Sequence, residues 1–577
     1  MRESVAAIGR VLGGVVGIVG AVGLGAVVTL GACAPEVVKP PQPVACEGAM
    51  CGKVAVQLVA WNDFHGQLEP PTGKSGEVPS ENGPVPAGGV EYLATWVDTL
   101  KQRNPNTVVV AAGDNIGASP LMSAAFHDEP TIEALNAAGL MITSVGNHEF
   151  DEGIVELSRM QAGGCHPSGC FGGDGFEGAK FEYLAANVVR NDDKKTLFPP
   201  YTVRRFGKVD VAFIGLTLEG TPNVVTAKGV EGVSFRNEVE TVNEIVPQLQ
   251  ARGIHAIVVL IHEGGFPKGR YDGCDGISGA IVDIAKGFDK DVDVVVSGHT
   301  HQAYLCDIGG KLVTSAGHYG RLLTDIDLVV DEATGDVVSK QAHAVIVTRD
   351  VPKAAAETAI VDRYRELVKA YADEVVTTLP KELTRAQDAG GQSTLGMVIA
   401  DAQLAAESDP STGGAEIALM NPGGIRTDLP AGPVTFGALF ATQPFGNNLV
   451  TVTLSGKELE QALEEQFATR TAAGVTPREE PKMLQVSASL TYVWDTKKAA
   501  GDRIDAKSVR VNGKPLDAKR SYRVVMNAFL AGGGDGFATL GTGRERKIGV
   551  IDLDALVSYL RTHPGLTAPS GGRVTKH

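Results

Sequence analysis

Short apolar runs, rich in valine and isoleucine, limit most strongly how this 577-residue chain can fold. Each has the length of one strand and lacks polar alternation, which indicates strands buried on both faces of a sheet. Stretches with a helical pattern separate them, so the sequence predicts a layered α/β fold. The runs are Val54–Ala60, Thr107–Ala112, Met141–Val145, Val209–Leu216, Ala256–Ile261 and Val292–Val296.

Five of these runs are followed at once by Asp, Asn or His, often with glycine beside the polar residue. Ligand-binding groups in open α/β sheets collect beyond the carboxyl ends of the strands. We therefore expect these side chains to converge on one place. The segments are Trp61–Gly66, Gly113–Asn115, Gly146–Asp151, His262 and Ser297–His301.

Carboxylate, imidazole and amide ligands without sulfur favour Zn, Mn, Fe or Co over calcium or copper(I). There are enough of them for two ions, with Asp114 as a candidate bridge. A paired centre of this kind activates water and binds a phosphoryl group.

His148 has Asp151 three residues later, where a carboxylate would fix its tautomer and raise its basicity. That pair predicts a proton donor or phosphoryl-stabilising group; a structural His–Asp pair is the alternative.

The C-terminal half carries aromatic residues on loops bordered by glycine. Two rings on separate loops, Phe445 and Phe529, could enclose a flat base, because stacking tolerates any purine or pyrimidine. Asp535 could accept hydrogen bonds from ribose hydroxyls. Arg426 offers a planar fork that suits phosphate or carboxylate.

The motifs D-x-H, G-D-N, G-N-H-E and G-H-x-H, in this order, resemble those of the calcineurin-like metallophosphoesterases. Together with the second half, the chain resembles the bacterial 5′-nucleotidase/UDP-sugar hydrolase family over roughly residues 53 to 562. The resemblance implies an N-terminal four-layer metallophosphoesterase sandwich. It also implies a C-terminal α/β 5′-nucleotidase domain, joined to the first by a linker helix.

The same resemblance assigns roles to single residues. It implies two divalent metal ions, Zn or Mn, and matches His148 and Asp151 to the family's catalytic pair. The first ion would be held by Asp63, His65, Asp114 and His301, and the second by Asp114, Asn147, His262 and His299. Some relatives carry Gln in place of His301.

Substrate contacts also follow from the resemblance. Phe445 and Phe529 would flank the base, Asp535 would bind the ribose, and Asn421 would lie beside the nucleoside. The phosphate would be contacted by Arg385 and Arg426. Ala389 stands where some relatives have a second arginine, which removes one expected phosphate contact.

The implied activity is removal of phosphate from nucleoside 5′-monophosphates by attack of a metal-activated water. A UDP-sugar or 2′,3′-cyclic nucleotide hydrolase with the same site is the alternative within enzymes. A non-catalytic nucleotide-binding surface lipoprotein is the alternative outside them. The net charge of −16 argues against a nucleic-acid polymer as a partner, because phosphate backbones need a positively charged surface. The sequence also lacks G-x-S-x-G and Walker A motifs, which disfavours serine hydrolases and P-loop ATPases.

The N-terminus predicts export. Arg2 and Arg10 precede a long apolar stretch that ends in Leu30-Gly31-Ala32-Cys33. This resembles a bacterial lipobox, which makes residues 1–32 a signal peptide and Cys33 the lipidated N-terminus. An uncleaved transmembrane anchor is the alternative. Either way the chain would be tethered to a membrane on its extracytoplasmic face.

The remaining six cysteines are even in number, which fits an oxidising compartment. Six cysteines allow fifteen pairings, of which the simplest joins neighbours along the chain. This scheme predicts the disulfides Cys46–Cys51, Cys165–Cys170 and Cys274–Cys306.

Composition and pattern divide the chain into six segments. A Pro-rich stretch forms a tether, and the charged stretch Pro352–Leu379 has the apolar spacing of one amphipathic helix between two domains. The predicted segments are signal peptide 1–32, tether 33–52, metallophosphoesterase domain 53–347, linker helix 348–380, nucleotide-binding domain 381–566 and tail 567–577.

Overall fold

The computed structural model of the chain describes residues 50–577 except 72, 82, 171–174, 227, 472–473 and 479. The predicted signal peptide, Cys33, Cys46 and nearly all of the tether therefore lie outside the described residues. Within the described part of the chain, no helix has the length and hydropathy needed to cross a membrane.

Two six-stranded sheets pack face to face in the N-terminal half. Val56 and Leu58 point into the layer between the sheets, and Val59 and Trp61 point to the outer face, because side chains alternate along a strand. The first sheet contains, in spatial order, Val337–Ile346, Leu322–Asp331, Lys53–Trp61, Thr107–Ala112, Ile142–Ser144 and Glu182–Leu184. The second contains Ala303–Ile308, Lys311–Ala316, Val294–Ser297, Ala256–Ile261, Val209–Leu216 and Tyr201–Phe206.

Helices cover both outer faces, which completes the predicted four-layer sandwich. Leu93 and Ile132 pack over the first sheet, and Val242 and Ile281 pack over the second. All six predicted strands are present, with boundaries shifted by at most two residues. The helices of this half are Val90–Lys101, Leu121–Ala124, Glu129–Ala137, Ile154–Ala162, Glu238–Gln250 and Ala280–Gly287. Short ladders pair Glu77–Ser80 with Gly83–Pro86, and Val188–Arg190 with Val233–Phe235.

The C-terminal half is a second α/β unit, as predicted. Its main sheet contains Gln485–Val486, Ile417–Met420, Ser521–Asn527, Asn448–Ser455 and Arg544–Ile551. A smaller sheet contains Lys514–Pro515, Arg510–Val511, Leu490–Trp494 and Val574–Lys576, and a ladder pairs Ala468–Thr471 with Gly474–Pro477. The helices are Thr394–Glu407, Phe436–Thr442, Gly456–Glu464, Ala528–Ala531, Ala538–Gly541 and Asp552–Thr562.

The connecting segment differs from the predicted single helix. The helix spans Ala355–Ala372, and Val375–Leu379 is a strand that pairs with Gly432–Thr435. The prediction of helix up to Leu379 was wrong because Val-Val-Thr-Thr is a run of β-branched residues, which favours an extended backbone. Residues 375–379 are thereby tied to the C-terminal half.

Residues 567–577, predicted as a tail, include the strand Val574–Lys576, which pairs with Leu490–Trp494. Val574 is buried in the C-terminal core, which holds this end of the chain in place. The predicted disulfides Cys165–Cys170 and Cys274–Cys306 are present.

Candidate metal centre and nucleotide cavity

The seven predicted metal ligands meet at the carboxyl ends of the strands of the two sheets. The strands Lys53–Trp61, Thr107–Ala112 and Ile142–Ser144 run parallel in the first sheet. The strands Ala256–Ile261 and Val294–Ser297 run parallel in the second. Because the two sheets face each other, the polar residues that follow these strands share one edge. They are Asp63, His65, Asp114 and Asn147 from the first sheet, and His262, His299 and His301 from the second.

The first group of donor atoms belongs to Asp63, His65 and His301. The two imidazole Nε2 atoms lie 3.1 Å apart, and Asp63 Oδ1 lies 3.3 Å from the Nε2 of His301. Asp63 Oδ1 is also 3.8 Å from the Nε2 of His65. Atoms this close, all with lone pairs that can face one point, suit a single cation.

The second group belongs to Asp114, Asn147, His262 and His299. Asn147 Oδ1 lies 3.1 Å from His262 Nε2 and 2.9 Å from His299 Nδ1. Asp114 Oδ2 lies 3.0 Å from His262 Nε2 and 3.6 Å from His65 Nε2, so the carboxylate stands between the two groups. This donor chemistry fits two divalent ions sharing Asp114, as the sequence predicts.

Backbone acceptors orient the imidazoles. His65 Nδ1 is 2.9 Å from the Gly117 carbonyl, and His262 Nδ1 is 2.8 Å from that of Ala112. A proton on each Nδ1 leaves Nε2 as the lone-pair nitrogen that faces the other ligands.

Five of the seven residues have a left-handed backbone, with φ of 51° at Asp63, His65 and Asp114, 70° at His299 and 58° at His301. Such conformations cost about 1–3 kcal/mol each for residues with a side chain, and they cluster at ligand-binding sites. The turns therefore aim donor atoms inward at the expense of local stability.

Glycine is required beside these turns. A Cβ on Gly113, whose φ is +77°, would come within 2.6 Å of the Gly146 nitrogen and 2.9 Å of His262 Nδ1. The close approach of the two strand ends therefore excludes any larger residue at position 113.

Charges within the cluster control its ionisation. Burial opposes the charged form of Asp114, but His262 and His148 hold the pKa of that carboxyl well below its usual range. Burial and the nearby charge of Asp114 raise the pKa of Glu149 to about 7. Glu149 nevertheless accepts hydrogen bonds from the backbone N–H groups of Gly146, Asp114 and Asn115 at 2.6–2.9 Å, so it braces the turns that carry the ligands.

His148 lies beside the cluster, with its Nδ1 2.9 Å from Asp151 Oδ2. Its backbone N–H donates to Asp114 Oδ1 over 2.9 Å, which fixes its place next to the carboxylate between the two groups. Burial opposes protonation of the ring, but Asp151 and Asp114 outweigh it and raise the pKa of His148.

A cavity of about 320 Å³ opens from this cluster and is lined by both halves of the chain. Arg426 reaches across it from the C-terminal half, with Nη2 3.4 Å from His65 Nε2. Its Nε is buried and has no hydrogen-bond partner among the described residues. The Phe445 ring lies nearly parallel to that of His148, with the centroids 5.6 Å apart.

The predicted nucleoside contacts lie on the same wall. Phe529, Asn421 and Asp535 all line the cavity. Asp535 has a φ of 57°, and its Oδ2 accepts a hydrogen bond from Asn421 Nδ2 over 2.9 Å. The structure thus brings five of the six predicted substrate residues together. Those five are Asn421, Arg426, Phe445, Phe529 and Asp535.

Arg385 is the sixth, and the structure does not bring it to the cavity. Its Nε lies 3.3 Å from Asp428 Oδ1, and its side chain is 41% exposed. The carboxylate of Asp428 binds the guanidinium on the outside of the domain. That Arg385 contacts the phosphate stays a prediction.

Sequence reasoning missed Lys482 and Arg478. Lys482 Nζ lies 2.6 Å from Asp535 Oδ1, and Arg478 Nη2 donates to the Asp535 carbonyl over 2.7 Å. Both residues lie in a segment without a recognisable motif, more than fifty positions from Asp535. Only the fold brings them beside the predicted ribose-binding carboxylate.

Family models match both halves of the chain. Calcineurin-like phosphoesterase matches residues 58–303, and the C-terminal domain of 5′-nucleotidase matches residues 372–542. The chain is 30% identical to the cell wall protein Lmo0130 of Listeria monocytogenes over 91% of this chain and 70% of that protein. It is 31% identical to the endonuclease YhcR of Bacillus subtilis over 88% of this chain, which spans 40% of that longer protein.

Among solved structures, the 5′-nucleotidase precursor from Thermus thermophilus superposes with a TM-score of 0.75. The match has 28% identity and covers 91% of this chain and 99% of that one. Fold, order of domains and sequence similarity therefore agree. The chain belongs to the 5′-nucleotidase family of phosphoesterase hydrolases, with an N-terminal calcineurin-like phosphoesterase domain and a C-terminal 5′-nucleotidase domain.

Proposed function

We propose that this protein removes phosphate from nucleoside 5′-monophosphates at a centre of two divalent ions, Zn or Mn. Asp63, His65 and His301 would hold one ion, Asn147, His262 and His299 the other, with Asp114 shared. When bound, the ions polarise the phosphoryl group and lower the pKa of water. The single observation that carries the proposal is Arg426, which spans the cavity from one domain to His65 in the other.

Arg426 binds the phosphate. Its buried Nε is left without a partner among the described residues, and a buried guanidinium donor is costly unless an acceptor reaches it. A phosphate oxygen is the acceptor that matches its planar fork. Substrate binding would thus satisfy a donor that the free protein leaves unpaired.

His148 protonates the leaving oxygen of the nucleoside. Asp151 engages Nδ1, so Nε2 is the nitrogen that can deliver a proton into the cavity. Burial opposes protonation of the ring, but Asp151 and Asp114 outweigh it and raise the pKa of His148, as a proton donor requires.

The C-terminal domain binds the nucleoside. Phe445 and Phe529 flank the base, and Asp535 binds the ribose hydroxyls, held in place by Asn421 and Lys482.

The protein acts outside the cytoplasm, tethered to the membrane through a lipid on Cys33. Two intrachain disulfides support an oxidising compartment. The cell wall protein among the relatives supports the same location. Globomycin treatment of expressing cells, which blocks lipoprotein signal cleavage, should leave a longer precursor; cleavage unaffected by the drug would refute lipidation.

Phosphate release from AMP, with and without a chelator, tests the reaction. Turnover should vanish with chelator and return with Zn²⁺ or Mn²⁺. Asp114→Asn should lower kcat on the order of 10³-fold, because the shared ligand contributes several kcal/mol to the transition state. Asp283→Asn, at an exposed helix position, is the matched control and should retain full turnover.

Parallel assays define the substrate class. Faster turnover of UDP-glucose or 2′,3′-cyclic AMP than of AMP would replace the proposed substrate. If the protein binds nucleotides but releases no phosphate from any of them, the alternative of a non-catalytic nucleotide-binding protein replaces the proposed enzyme. Full activity in Asp114→Asn would refute the two-ion centre itself.

A further inference from the structure

We propose that His127, Glu152, Glu156 and His166 form a separate binding site for one divalent transition-metal ion such as Zn²⁺, on the wall of the nucleotide cavity. None of these residues belongs to the predicted centre of two ions. They are referred to below as the rim cluster.

The rim cluster brings four donors of suitable chemistry to one point. One ligand atom from each residue lies within 4.8 Å of all the others. His127 Nδ1 is 2.8 Å from Glu152 Oε2, and the rings of His127 and His166 stack with centroids 3.6 Å apart. Two imidazoles and two carboxylates without sulfur form the ligand set of a tetrahedral zinc site.

Three separate pieces of backbone present these donors. His127 stands on a turn in which it and Asp128 both have a left-handed backbone, with φ of 53° and 61°. The turn is fixed by the Asp128 carboxylate, which accepts from Ser123 Oγ over 2.6 Å and from the Gly117 nitrogen over 3.1 Å. Two adjacent strained residues, neither of them glycine, indicate that the direction of the His127 side chain matters.

The other pieces are a helix and a closed loop. Glu156 lies on the helix Ile154–Ala162, and Glu152 lies just before it. His166 lies on the loop that the disulfide Cys165–Cys170 closes. A disulfide across five residues restricts where the imidazole of His166 can go.

An ordinary surface ion pair does not account for this arrangement. An ion pair needs only His127 and Glu152. It does not explain why a second imidazole, that of His166, packs against the ring of His127. Ser168 Oγ lies 3.2 Å from His127 Nε2 and 2.5 Å from His166 Nδ1, so one hydroxyl orients both rings. Ligands oriented by outer hydrogen bonds are typical of metal sites.

Burial and charge also suit an ion. The side chains of His127 and Glu156 are 17% and 12% exposed, and that of Glu152 is 46% exposed, so an ion can enter yet lose most of its water. Arg159 donates to both oxygens of Glu156, with its Nε 3.1 and 2.9 Å away. That contact holds Glu156 in place, and its carboxylate retains lone pairs for a second cation.

The rim cluster adjoins the reaction site. His127, Glu152 and Glu156 line the same cavity as His148 and Asp151. An ion there would join the turn, the helix and the disulfide loop into one rigid wall.

Metal content of the intact protein tests the proposal. A chelator first removes all metal from the chain, which is then equilibrated with Zn²⁺. Elemental mass spectrometry gives the number of Zn²⁺ ions bound per chain. We expect His166→Gln and His127→Gln to bind one ion fewer per chain than the wild type. His343→Gln, which replaces an exposed histidine elsewhere, is the matched control and should bind as many ions as the wild type.

Two further measurements separate the rim cluster from the predicted centre. An Asp63→Asn, Asp114→Asn, His262→Gln protein, which loses ligands of both predicted ions, should still bind one Zn²⁺, and that ion should be lost when His166→Gln is added. Zn²⁺ should raise the Tm of this protein but not that of the His166→Gln derivative. Equal metal content in wild type and His166→Gln, with both folded by circular dichroism, would overturn the proposal. Glu152→Gln, which keeps the size of the side chain, is a further variant for the case that His166→Gln does not fold, and it should also bind one ion fewer than the wild type.

Discussion

At the residue scale, Phe445 lies where the proposed base-binding residues meet the proposed catalytic residues. It comes from the C-terminal domain, yet its ring stacks on His148 of the N-terminal domain, and the Arg426 guanidinium lies 5.9 Å from its centroid. A base bound against Phe445 would therefore sit next to both the proposed proton donor and the proposed phosphate ligand. The same ring can bind the base and position His148.

Phe445→Ala separates these two roles. Loss of base stacking, about 1–3 kcal/mol, should raise KM for AMP about 5- to 150-fold with little change in kcat. The measurement is steady-state kinetics with AMP and with glycerol phosphate, which has no base. Phe529→Ala should likewise raise KM for AMP, since Phe529 lines the same cavity.

If Phe445→Ala instead lowers kcat for glycerol phosphate, the ring acts through His148 rather than through the base. An unchanged KM for AMP in both alanine variants would contradict the assignment of the base-binding wall. Phe445→Tyr should remain close to wild type, because it keeps the aromatic face.

At the element scale, the last long helix begins with a buried acid. Asp552 is the first residue of Asp552–Thr562, and its Oδ1 accepts from the Leu553 nitrogen over 2.8 Å. Burial, with a smaller contribution from the charge of Asp554, raises the pKa of Asp552 to about 7. A helix N-terminus ordinarily favours an anion, so here the apolar surroundings outweigh the helix dipole.

Asp552→Asn should therefore change how stability depends on pH. The folded state retains a proton that the unfolded state releases above its pKa of 3.8. The resulting stability is fully present below that pKa and is lost as the pH rises to about 7. At pH 8 the variant should exceed the wild type by about 2–4 kcal/mol in free energy of unfolding.

Urea unfolding at pH 5 and pH 8 measures the effect. Glu366→Gln, at an exposed position on the connecting helix, serves as the control and should follow the wild type at both pH values. A difference between Asp552→Asn and wild type that stays constant with pH would rule out titration of this carboxyl.

At the scale of the whole molecule, both domains share one apolar core through the connecting helix. Tyr364 of that helix is fully buried, packs on Phe126 with centroids 4.9 Å apart, and donates to Glu133 Oε1 over 3.0 Å. The same core continues to Leu395 and Leu553 in the C-terminal domain. The helix is thus anchored to the N-terminal domain and also joins the two domains.

Unfolding of the two domains should be coupled through this core. Tyr364→Ala leaves a large cavity and should cost about 3–5 kcal/mol, whereas Tyr364→Phe removes one hydrogen bond and should cost about 1 kcal/mol. Scanning calorimetry should show a single transition in the wild type, with equal calorimetric and van't Hoff enthalpies. Two separate transitions in the wild type, with only one moved by Tyr364→Ala, would show independent domains.

The local sequence pattern was enough to predict much of the fold and the residues of the candidate metal centre. The apolar runs marked the strands, and Asp63, Asp114 and His262 follow them directly, so their convergence needed only the rule that parallel strands share an end. The helix limit at Ala372 was missed, because amphipathic spacing continues past the point where β-branched residues begin.

The sequence by itself determined which side chains lie at the strand ends, because strand period and apolar runs act over a few neighbouring residues. Only the tertiary structure decided which charges meet across long separations. It paired Arg385 with Asp428 away from the cavity, placed Lys482 on Asp535, and brought His127 against His166. Such contacts depend on the packing of distant segments, which no local pattern of residues encodes.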